Sequence, residues 1–217
     1  HEVVLLTDAD CRPAGPHWVD AMQTNYADGI DIVLGYGAYE KKPGLLNKLV
    51  RFETFHTALQ YLSYAVGGMP YMGVGRNLSY RKTLFYNVKG FSSINHIPGG
   101  DDDLFLNKVA TPTNTTIAIQ PESFTYSKPP DSFEGWFRQK SRHYSTAKFY
   151  KSKHRFWLGL YAFTYGLYYP LGIVSALFFS WQLSLAVYGV RFIIQAVVYY
   201  FAMKKLNEKD LILKSFE

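Results

Sequence analysis

The pattern of apolar and polar residues divides the chain into two parts. Up to about residue 150, short apolar runs alternate with longer stretches in which apolar residues recur at helical spacing. From Phe156 to Met203 the chain is almost continuously apolar and aromatic. Because strands that alternate with helices are typical of α/β proteins, the sequence predicts an α/β domain followed by a different, apolar element.

The first part contains four segments that predict strands and four that predict helices. The run EVVLL at 2–6 predicts a buried strand of the parallel type, with further strands at 30–35, 77–80 and 116–120. Helices are predicted at 17–26, 45–64, 101–109 and 132–149. The core face of the long helix at 45–64 is predicted to carry Leu46, Leu49, Phe52, Phe55 and Leu59.

The apolar part consists of two segments, 156–179 and 182–203, with only Ser180 and Trp181 between them. Each is long enough to cross a hydrocarbon core of about 30 Å. Cations precede the first segment and follow the second, which predicts a transmembrane hairpin with both outer ends in the cytoplasm. The alternative is a pair of buried helices in a soluble protein. Arg191 lies within the second segment and is expected to face protein, water or a headgroup, because a cation facing lipid is costly.

The charge and the cysteine content restrict the partners and the compartment. The formal net charge is +6, and much of the excess lies at 138–155, directly before the apolar part. Such a basic run is more typical of a cytoplasmic membrane flank than of a nucleic-acid site, so no nucleic-acid partner is expected. The single cysteine, Cys11, excludes an internal disulfide and favours a cytosolic environment.

Two aspartates directly follow the first predicted strand. Ligands of open α/β sheets bind beyond the carboxyl ends of the strands. In an extended segment Asp8 and Asp10 project to the same side, since residues two apart share a face. Two carboxylates in this position suit Mg²⁺ or Mn²⁺ bridging phosphates. An ordinary acidic turn is the alternative.

Three consecutive aspartates, Asp101, Asp102 and Asp103, follow two glycines at the start of a predicted helix. Capping a helix needs one such residue, so three indicate more than capping. Adjacent carboxylates repel one another and raise the pKa of at least one of them. A carboxylate here can act as a general base toward a hydroxyl group.

The third candidate motif, QKSRH, lies on the predicted basic helix. Gln139 and Arg142 are three residues apart and therefore share one helix face. An amide and a guanidinium on one face can hold a diphosphate. The alternative is a basic helix that faces solvent or a membrane surface.

These three motifs in this order, followed by an apolar hairpin, resemble the family 2 glycosyltransferases, particularly their membrane-bound bacterial and synthase-like branch. The matching residues are the Asp-x-Asp at Asp8 and Asp10, the acidic pair at Asp101 and Asp102, and QKSRH as a Gln-x-x-Arg-Trp-like motif. The segment 73–81, which includes Arg76, resembles the one that lines the acceptor site in the family.

The resemblance implies a partial GT-A-type nucleotide-sugar-binding fold with a mixed, mostly parallel sheet, and sugar transfer with inversion. Asp8 and Asp10 would hold a divalent metal, Mn²⁺ or Mg²⁺, and the donor diphosphate. Gln139, Arg142 and Arg76 would contact the diphosphate or the acceptor sugar. For the base, a gapless match of GDDDLFLN favours Asp102, whereas aligning the helix leucine favours Asp101; Asp102 is preferred.

Two departures accompany the resemblance. His143 stands where the family has tryptophan, which leaves processive and single transfer both open. The family's first strand and helix, with the base-binding aspartate, would lie before His1, so the chain is expected to be the C-terminal part of a catalytic domain.

The expected organisation is a catalytic part at 1–131, an interfacial basic helix at 132–155, a transmembrane hairpin at 156–203 and a cytoplasmic tail at 204–217. The expected protein is a multi-pass enzyme of the cytoplasmic membrane whose catalytic domain faces the cytosol. Its expected partners are a nucleotide-sugar donor and a lipid-linked or glycan acceptor. Two other functions use the same residues: a catalytically silent, membrane-anchored scaffold, and a metal-dependent phosphohydrolase.

Overall fold

The computed structural model describes residues 2–97 and 99–213. The strands are β1 Val3–Leu6, β2 Cys11–Pro13, β3 Ile32–Leu34, β4 Gly37–Tyr39, β5 Leu78–Arg81, β6 Thr115–Ile117 and β7 Thr125–Ser127. The helices are α1 Trp18–Gln23, α2 Leu45–Val66, α3 Lys82–Asn87, α4 Asp101–Val109, α5 Phe133–Tyr144, α6 Ser152–Phe178, α7 Trp181–Lys205 and α8 Asp210–Leu213. The predicted mixture of strands and helices is confirmed.

The strands form two sheets. The larger has the order β1-β5-β3-β6 and the smaller the order β2-β7-β4. In the larger sheet β5 runs antiparallel to both of its neighbours, and β3 runs parallel to β6. In the smaller sheet β7 is antiparallel to β2 and parallel to β4.

The predicted mixed sheet is thus confirmed, with β1, β3 and β6 running in one direction, but β5 lies between β1 and β3 in the opposite direction, so most of the adjacent pairs are antiparallel. The register pairs Leu34, the last residue of β3, with Leu78, the first residue of β5. The chain thus enters β5 from the end of the sheet at which β3 finishes. An apolar run shows where a strand lies, but it does not show from which end the chain enters it.

The core lies on both faces of the central strand β3, whose three residues are completely buried or nearly so. Ile32 and Leu34 point to one face, where they belong to a cluster with Phe55 of α2 and Leu106 of α4. Val33 points to the other face and packs in a cluster with Trp18 of α1. This alternation follows from the two-residue period of a strand.

The core face of α2 differs from the one predicted. Phe55 is completely buried as expected, but Leu49 and Phe52 are exposed, while Val50 and Ala58 are buried instead. Phe52 contacts the ring of Tyr199 on α7. The predicted stripe therefore spans two faces of α2, one that packs in the core and an adjoining one that contacts the apolar hairpin.

Helices α6 and α7 form an antiparallel hairpin whose turn is at Phe179–Ser180. The hydroxyl of Ser180 caps α7 by accepting a hydrogen bond from the Leu183 amide. The hydroxyl of Ser184 donates to that of Ser175 across the hairpin at 2.9 Å. The guanidinium of Arg191 lies 3.6 Å from the ring centroid of Tyr168. This cation therefore faces protein, which is one of the three environments predicted for it.

Among the described residues, only Trp181–Lys205 is a helix both long and apolar enough to cross a membrane. Helix α6 has sufficient length, with 27 residues, but its tyrosines and its basic start lower its hydropathy. The prediction of two membrane-spanning helices is therefore not confirmed.

The segment after α7 returns to the catalytic part of the chain. Leu206 and Leu211 are buried in the same core as β3. The carboxylate of Glu208, almost completely buried, pairs with the guanidinium of Arg51 on α2 and accepts a hydrogen bond from Tyr36 Oη at 3.1 Å. The described part of the predicted tail is thus packed against the domain. The rest of it, 214–217, lies outside the described residues.

Candidate active site

Asp8 and Asp10 lie in the tight turn that leads from β1 of the larger sheet to β2 of the smaller one. The turn is closed by a hydrogen bond of 3.0 Å from the Cys11 amide to the Asp8 carbonyl. The predicted extended segment is therefore a turn, but the two carboxylates still lie close together. With the thiol of Cys11 they form a group whose candidate ligand atoms all lie within 4.8 Å of one another.

The chemistry of this group fits a divalent metal ion. Carboxylate oxygens are hard ligands that suit Mg²⁺ or Mn²⁺, and a thiolate is a softer ligand that Mn²⁺ tolerates better than Mg²⁺ does. Asp8 and Asp10 are exposed, which leaves room for further ligands from a substrate. Cys11 was not among the ligands predicted from the sequence, because nothing in its spacing distinguishes it from an ordinary strand residue.

Arg76 lies beside Asp8, on the 3₁₀ turn Gly75–Asn77 that precedes β5. Its guanidinium stacks on the ring of Tyr39 at 4.5 Å and donates to Ser127 Oγ at 2.9 Å. Partial burial raises the pKa of Asp8, and the positive charge of Arg76 opposes that shift. The structure thus places a fixed cation next to the candidate metal ligands.

Two glycines direct the three aspartates at the start of α4. Gly99 and Gly100 both have positive φ, and a Cβ at Gly100 would lie 2.3 Å from Thr146 Cγ2. Only glycines therefore allow the chain to enter α4 at this angle. Asp101 is exposed, whereas Asp102 and Asp103 turn inward.

Asp102 is held by backbone amides. Its carboxylate accepts hydrogen bonds from the Gly75 amide and, at 2.9 Å, from the Asp103 amide. A Cβ at Gly75 would lie only 3.0 Å from Asp102 Oδ2, so the absence of a side chain there permits the contact. Burial raises the pKa of Asp102, while the two amides favour its ionised form. A buried but stabilised carboxylate is suited to accept a proton.

Helix α5 contributes the residues of the third motif. Tyr39 Oη donates to Gln139 Oε1 at 3.3 Å, and Lys140 forms an ion pair with Glu53 of α2. Helix α5 has no buried residue of its own, so these two contacts hold it in position over the site. Ser132 caps it, accepting from the Gly135 amide at 3.1 Å. The predicted helix at 132–149 ends earlier, at Tyr144, and is followed by the 3₁₀ turn Ala147–Phe149.

His143 occupies the position where the resemblance places a tryptophan. It lines the cavity beside Asp102, although part of its surface stays open to solvent. Its pKa is lowered to about 4, because the cavity wall keeps water from the ring and because Lys140 and Arg142 add positive charge. At neutral pH this side chain is therefore an uncharged imidazole.

Two adjoining cavities bring the predicted residues together. The inner cavity, of about 180 Å³, lies beneath α5 and is lined by Asp102, Asp103, Thr54, Tyr61 and His143 among others. The outer cleft is lined by Asp10, Ser127 and Arg138 among others. The residues common to both are Asp8, Tyr39, Arg76, Gln139 and Arg142.

Six of the seven residues predicted for the site thus line these two cavities. Asp101 lines neither of them, since it points outward from the start of α4. The structure therefore brings Asp102, and not Asp101, into the cavity that adjoins the candidate metal ligands. Tyr39, Thr54 and the ion pair of Lys140 also belong to the site, but no sequence motif gives a signal for them.

Comparison with known proteins agrees with these motifs. The chain matches the family model described as glycosyl transferase family group 2 over residues 3–203. No curated protein matches it. Among solved structures, the mannosyltransferase PcManGT from Pyrobaculum calidifontis, in complex with GDP-Man and Mn2+, is similar at 13% sequence identity and a TM-score of 0.48. That match covers 98% of this chain and 60% of the mannosyltransferase chain. Since the family model spans nearly the whole chain, this protein belongs to glycosyl transferase family group 2.

Proposed function

We propose that this chain carries the catalytic base and the diphosphate-binding residues of an enzyme that transfers a sugar from a nucleotide-diphosphate donor to a lipid-linked or glycan acceptor. The observation that carries the proposal is the meeting of two cavities, one holding Asp102 and the other Asp10, at a wall formed by Asp8, Arg76 and Arg142. A base and a site for anionic groups thus adjoin each other, as a group transfer from a diphosphate requires.

In the proposed reaction, the Asp102 carboxylate takes the proton of the acceptor hydroxyl. The acceptor oxygen then bonds to the anomeric carbon from the face opposite the diphosphate. The bond from that carbon to the phosphate oxygen breaks, and the nucleoside diphosphate leaves with the electron pair. Attack from the opposite face inverts the anomeric configuration.

The charged residues on the wall between the cavities serve the leaving group. Arg76 and Arg142 would bind the diphosphate oxygens, and Gln139 would donate its amide hydrogens. Asp8 and Asp10, with Cys11 beside them, would hold a divalent metal ion, which neutralises negative charge on a departing diphosphate. Tyr39 positions two of these groups, since its ring stacks on Arg76 and its hydroxyl donates to Gln139.

The test is release of nucleoside diphosphate by the protein in its native membrane. The donors would be UDP-glucose, UDP-galactose, UDP-N-acetylglucosamine and GDP-mannose, each with Mn²⁺, with Mg²⁺ and with a chelator. We expect release from one donor, stimulated by metal and by a lipid or glycan extract as acceptor. Inorganic phosphate released without an acceptor would indicate a phosphohydrolase, and no release from any donor would indicate a binding protein.

The metal site can be tested without turnover, because Cys11 is the single cysteine of the chain. Its thiol lies within 4.8 Å of the Asp8 and Asp10 carboxylate oxygens, so a bound Mn²⁺ should slow alkylation of Cys11 by a thiol reagent. In Asp10→Ala the same protection should require at least about tenfold more Mn²⁺, as expected when one charged ligand is lost. Labelling rates that do not respond to Mn²⁺ in the parent protein would contradict the site.

We also propose that the α6–α7 hairpin anchors the enzyme in the cytoplasmic membrane, with the catalytic part on the cytosolic side. Supporting this, both helices carry large exposed apolar side chains along their length, including Leu177, Phe178 and Phe192 at 73%, 76% and 62% exposure. Exposed apolar surface of this extent is expected to be covered by a partner or by lipid. Cations flank the hairpin at Lys153, Arg155, Lys204 and Lys205.

The anchoring predicts that the protein stays in the membrane pellet after carbonate washing and is released by a mild detergent. Replacing Phe163 and Phe192 together by aspartate should shift a large fraction into the soluble phase, because both lie near the middle of their helices and are 62% exposed. Each charge opposes insertion by about 2.5–3.5 kcal/mol at the centre of a membrane helix. A parent protein that carbonate alone releases as a monodisperse species would contradict the anchor.

A further inference from the structure

Arg191 is a cation in the middle of the apolar hairpin. Helix α7 runs from Trp181 to Lys205, so Arg191 lies ten residues, or about 15 Å, from its start and fourteen residues, or about 21 Å, from its end. Tyr168, whose ring centroid lies 3.6 Å from the guanidinium, is itself ten residues before the end of α6 at Phe178. The charge is therefore held far from both ends of the hairpin.

The groups that surround this cation are aromatic rings. Besides Tyr168, the rings of Tyr165 and Tyr169 lie 5.3 and 5.7 Å from the guanidinium. An aromatic face attracts a cation through its charge, but the five N–H donors of a guanidinium require oxygen or nitrogen acceptors. Among residues 2–97 and 99–213, Arg191 forms neither a hydrogen bond nor an ion pair. Its donors are thus available to a group outside the hairpin.

A groove adjoins Arg191 on the surface of α7. It has a volume of about 600 Å³. Its apolar lining, between 46% and 59% exposed, includes Val187, Val190, Ile194 and Val198. Because these residues are three or four positions apart, they form one stripe along the helix. A surface of this shape fits a second helix that packs alongside α7 with Arg191 at the contact.

Two occupants of the groove are disfavoured by charge and depth. The phosphate of a phospholipid lies at the surface of the hydrocarbon core, which is about 30 Å thick, whereas the stack on Tyr168 holds Arg191 near its middle. A second copy of the hairpin brings no carboxylate, because residues 152–205 contain no Asp or Glu. It brings another Arg191 instead, and like charges repel. Since ionisable groups inside membranes pair with one another, the fitting occupant is a membrane helix that carries an acid.

We propose that the groove on α7 binds a transmembrane helix of a partner subunit that carries one Asp or Glu at mid-depth, and that this carboxylate pairs with Arg191. The inference rests on the proposed membrane anchor and adds the partner that the anchor holds. A carboxylate matches the guanidinium in charge and accepts two of its N–H bonds side by side. Small residues on the partner helix, such as Gly or Ala, would let it approach the groove closely.

The probes for this site are three synthetic membrane-spanning peptides of Leu and Ala that differ only in their central residue, which is Glu, Leu or Lys. Fluorescence energy transfer would give their affinities for the protein in phosphatidylcholine vesicles, at peptide-to-lipid ratios low enough to keep the peptides monomeric. We expect the Glu peptide to bind about 5- to 30-fold more tightly than the Leu peptide, the range for a polar contact between membrane helices. The Lys peptide should bind most weakly.

Three variants separate charge pairing from a structural role of Arg191. Arg191→Met keeps an unbranched side chain without the charge, so the Glu peptide should bind it within twofold of the Leu peptide. Arg191→Glu should reverse the order and favour the Lys peptide, a result that altered packing of the hairpin alone would not give. The matched control is Lys204→Met, which removes an exposed cation from the end of the same helix and should keep the preference of the parent.

Three results would overturn the inference. The first is binding of the Glu and Leu peptides to the parent within twofold of each other. The second is a phosphatidylglycerol molecule that native mass spectrometry finds on the parent but not on Arg191→Met, which would make a lipid phosphate the counter-ion. The third is a dimer of the parent that Arg191→Met loses, which would assign the groove to a second copy. A parent protein that carbonate releases from the vesicles would instead overturn the membrane anchor, and nucleoside diphosphate release tests the transfer reaction separately.

Discussion

Asp102→Asn is expected to lower kcat for nucleoside diphosphate release by roughly 10²- to 10⁴-fold, the usual contribution of a general base. Asparagine keeps the shape of the side chain, and its amide oxygen can still accept from the Gly75 amide. It cannot accept the proton of the acceptor hydroxyl. Because the diphosphate of the donor would be bound by Arg76, Arg142 and Gln139 and not by Asp102, the Kd of the nucleotide sugar should change by less than about threefold.

The matched control is Asp101→Asn, one residue earlier on the same helix turn. Asp101 is exposed and lines neither cavity, so its loss should change kcat by less than about threefold. Circular dichroism and the Tm of both variants would show that the fold is intact. Equal losses in the two variants, or a larger loss in Asp101→Asn, would contradict the assignment of the base to Asp102.

Arg51→Ala is expected to lower the free energy of unfolding by about 3–5 kcal/mol, since it leaves the Glu208 carboxylate buried without its counter-charge. The side chains of Arg51 and Glu208 are only 3% and 2% exposed. Arg51 also bonds Asp210, so its removal weakens two contacts of the segment that follows the hairpin. For a chain of this size the expected fall in Tm is roughly 6–20 °C.

Two further variants test whether the unpaired Glu208 carboxylate causes the loss of stability in Arg51→Ala. Arg12→Ala removes an ion pair of 3.0 Å with Glu40 in which Arg12 is 70% exposed, and it should cost only about 0–1 kcal/mol. The double variant Arg51→Met with Glu208→Gln removes both charges and keeps a partner for Tyr36. It should recover part of the stability that Arg51→Ala loses. A Tm of Arg51→Ala within 2 °C of the parent would contradict a structural role for the pair.

The sequence was sufficient for the strands of the larger sheet and for most of the site, but β2, β4 and β7 of the smaller sheet were not predicted. Apolar runs located β1 and β3 to within a few residues, because a strand that packs on the core needs apolar side chains. The acidic and basic motifs were identifiable because metal ligands, a base and diphosphate ligands require particular side chains at strand ends and helix starts. These requirements are local, so they leave a pattern in the sequence.

Features that depend on long-range packing could not be predicted. The direction of β5 depends on how the chain returns from α2, and the core face of α2 depends on its contact with α7. Arg51 and Glu208 are 157 residues apart, and an isolated charged residue gives no indication of its partner.

The return of the chain after α7 also restricts how the molecule moves. At the start of the hairpin, Asn107 of α4 bonds His154 at 2.8 Å and accepts from the Lys151 amide at 2.8 Å. At its end, Glu208 is bonded to Arg51 and Tyr36. A single connection would leave the hairpin free to rotate about it, whereas attachments at both ends restrict the rotation to the axis that joins them. We therefore expect the direction in which the cavities open to vary little relative to the hairpin axis.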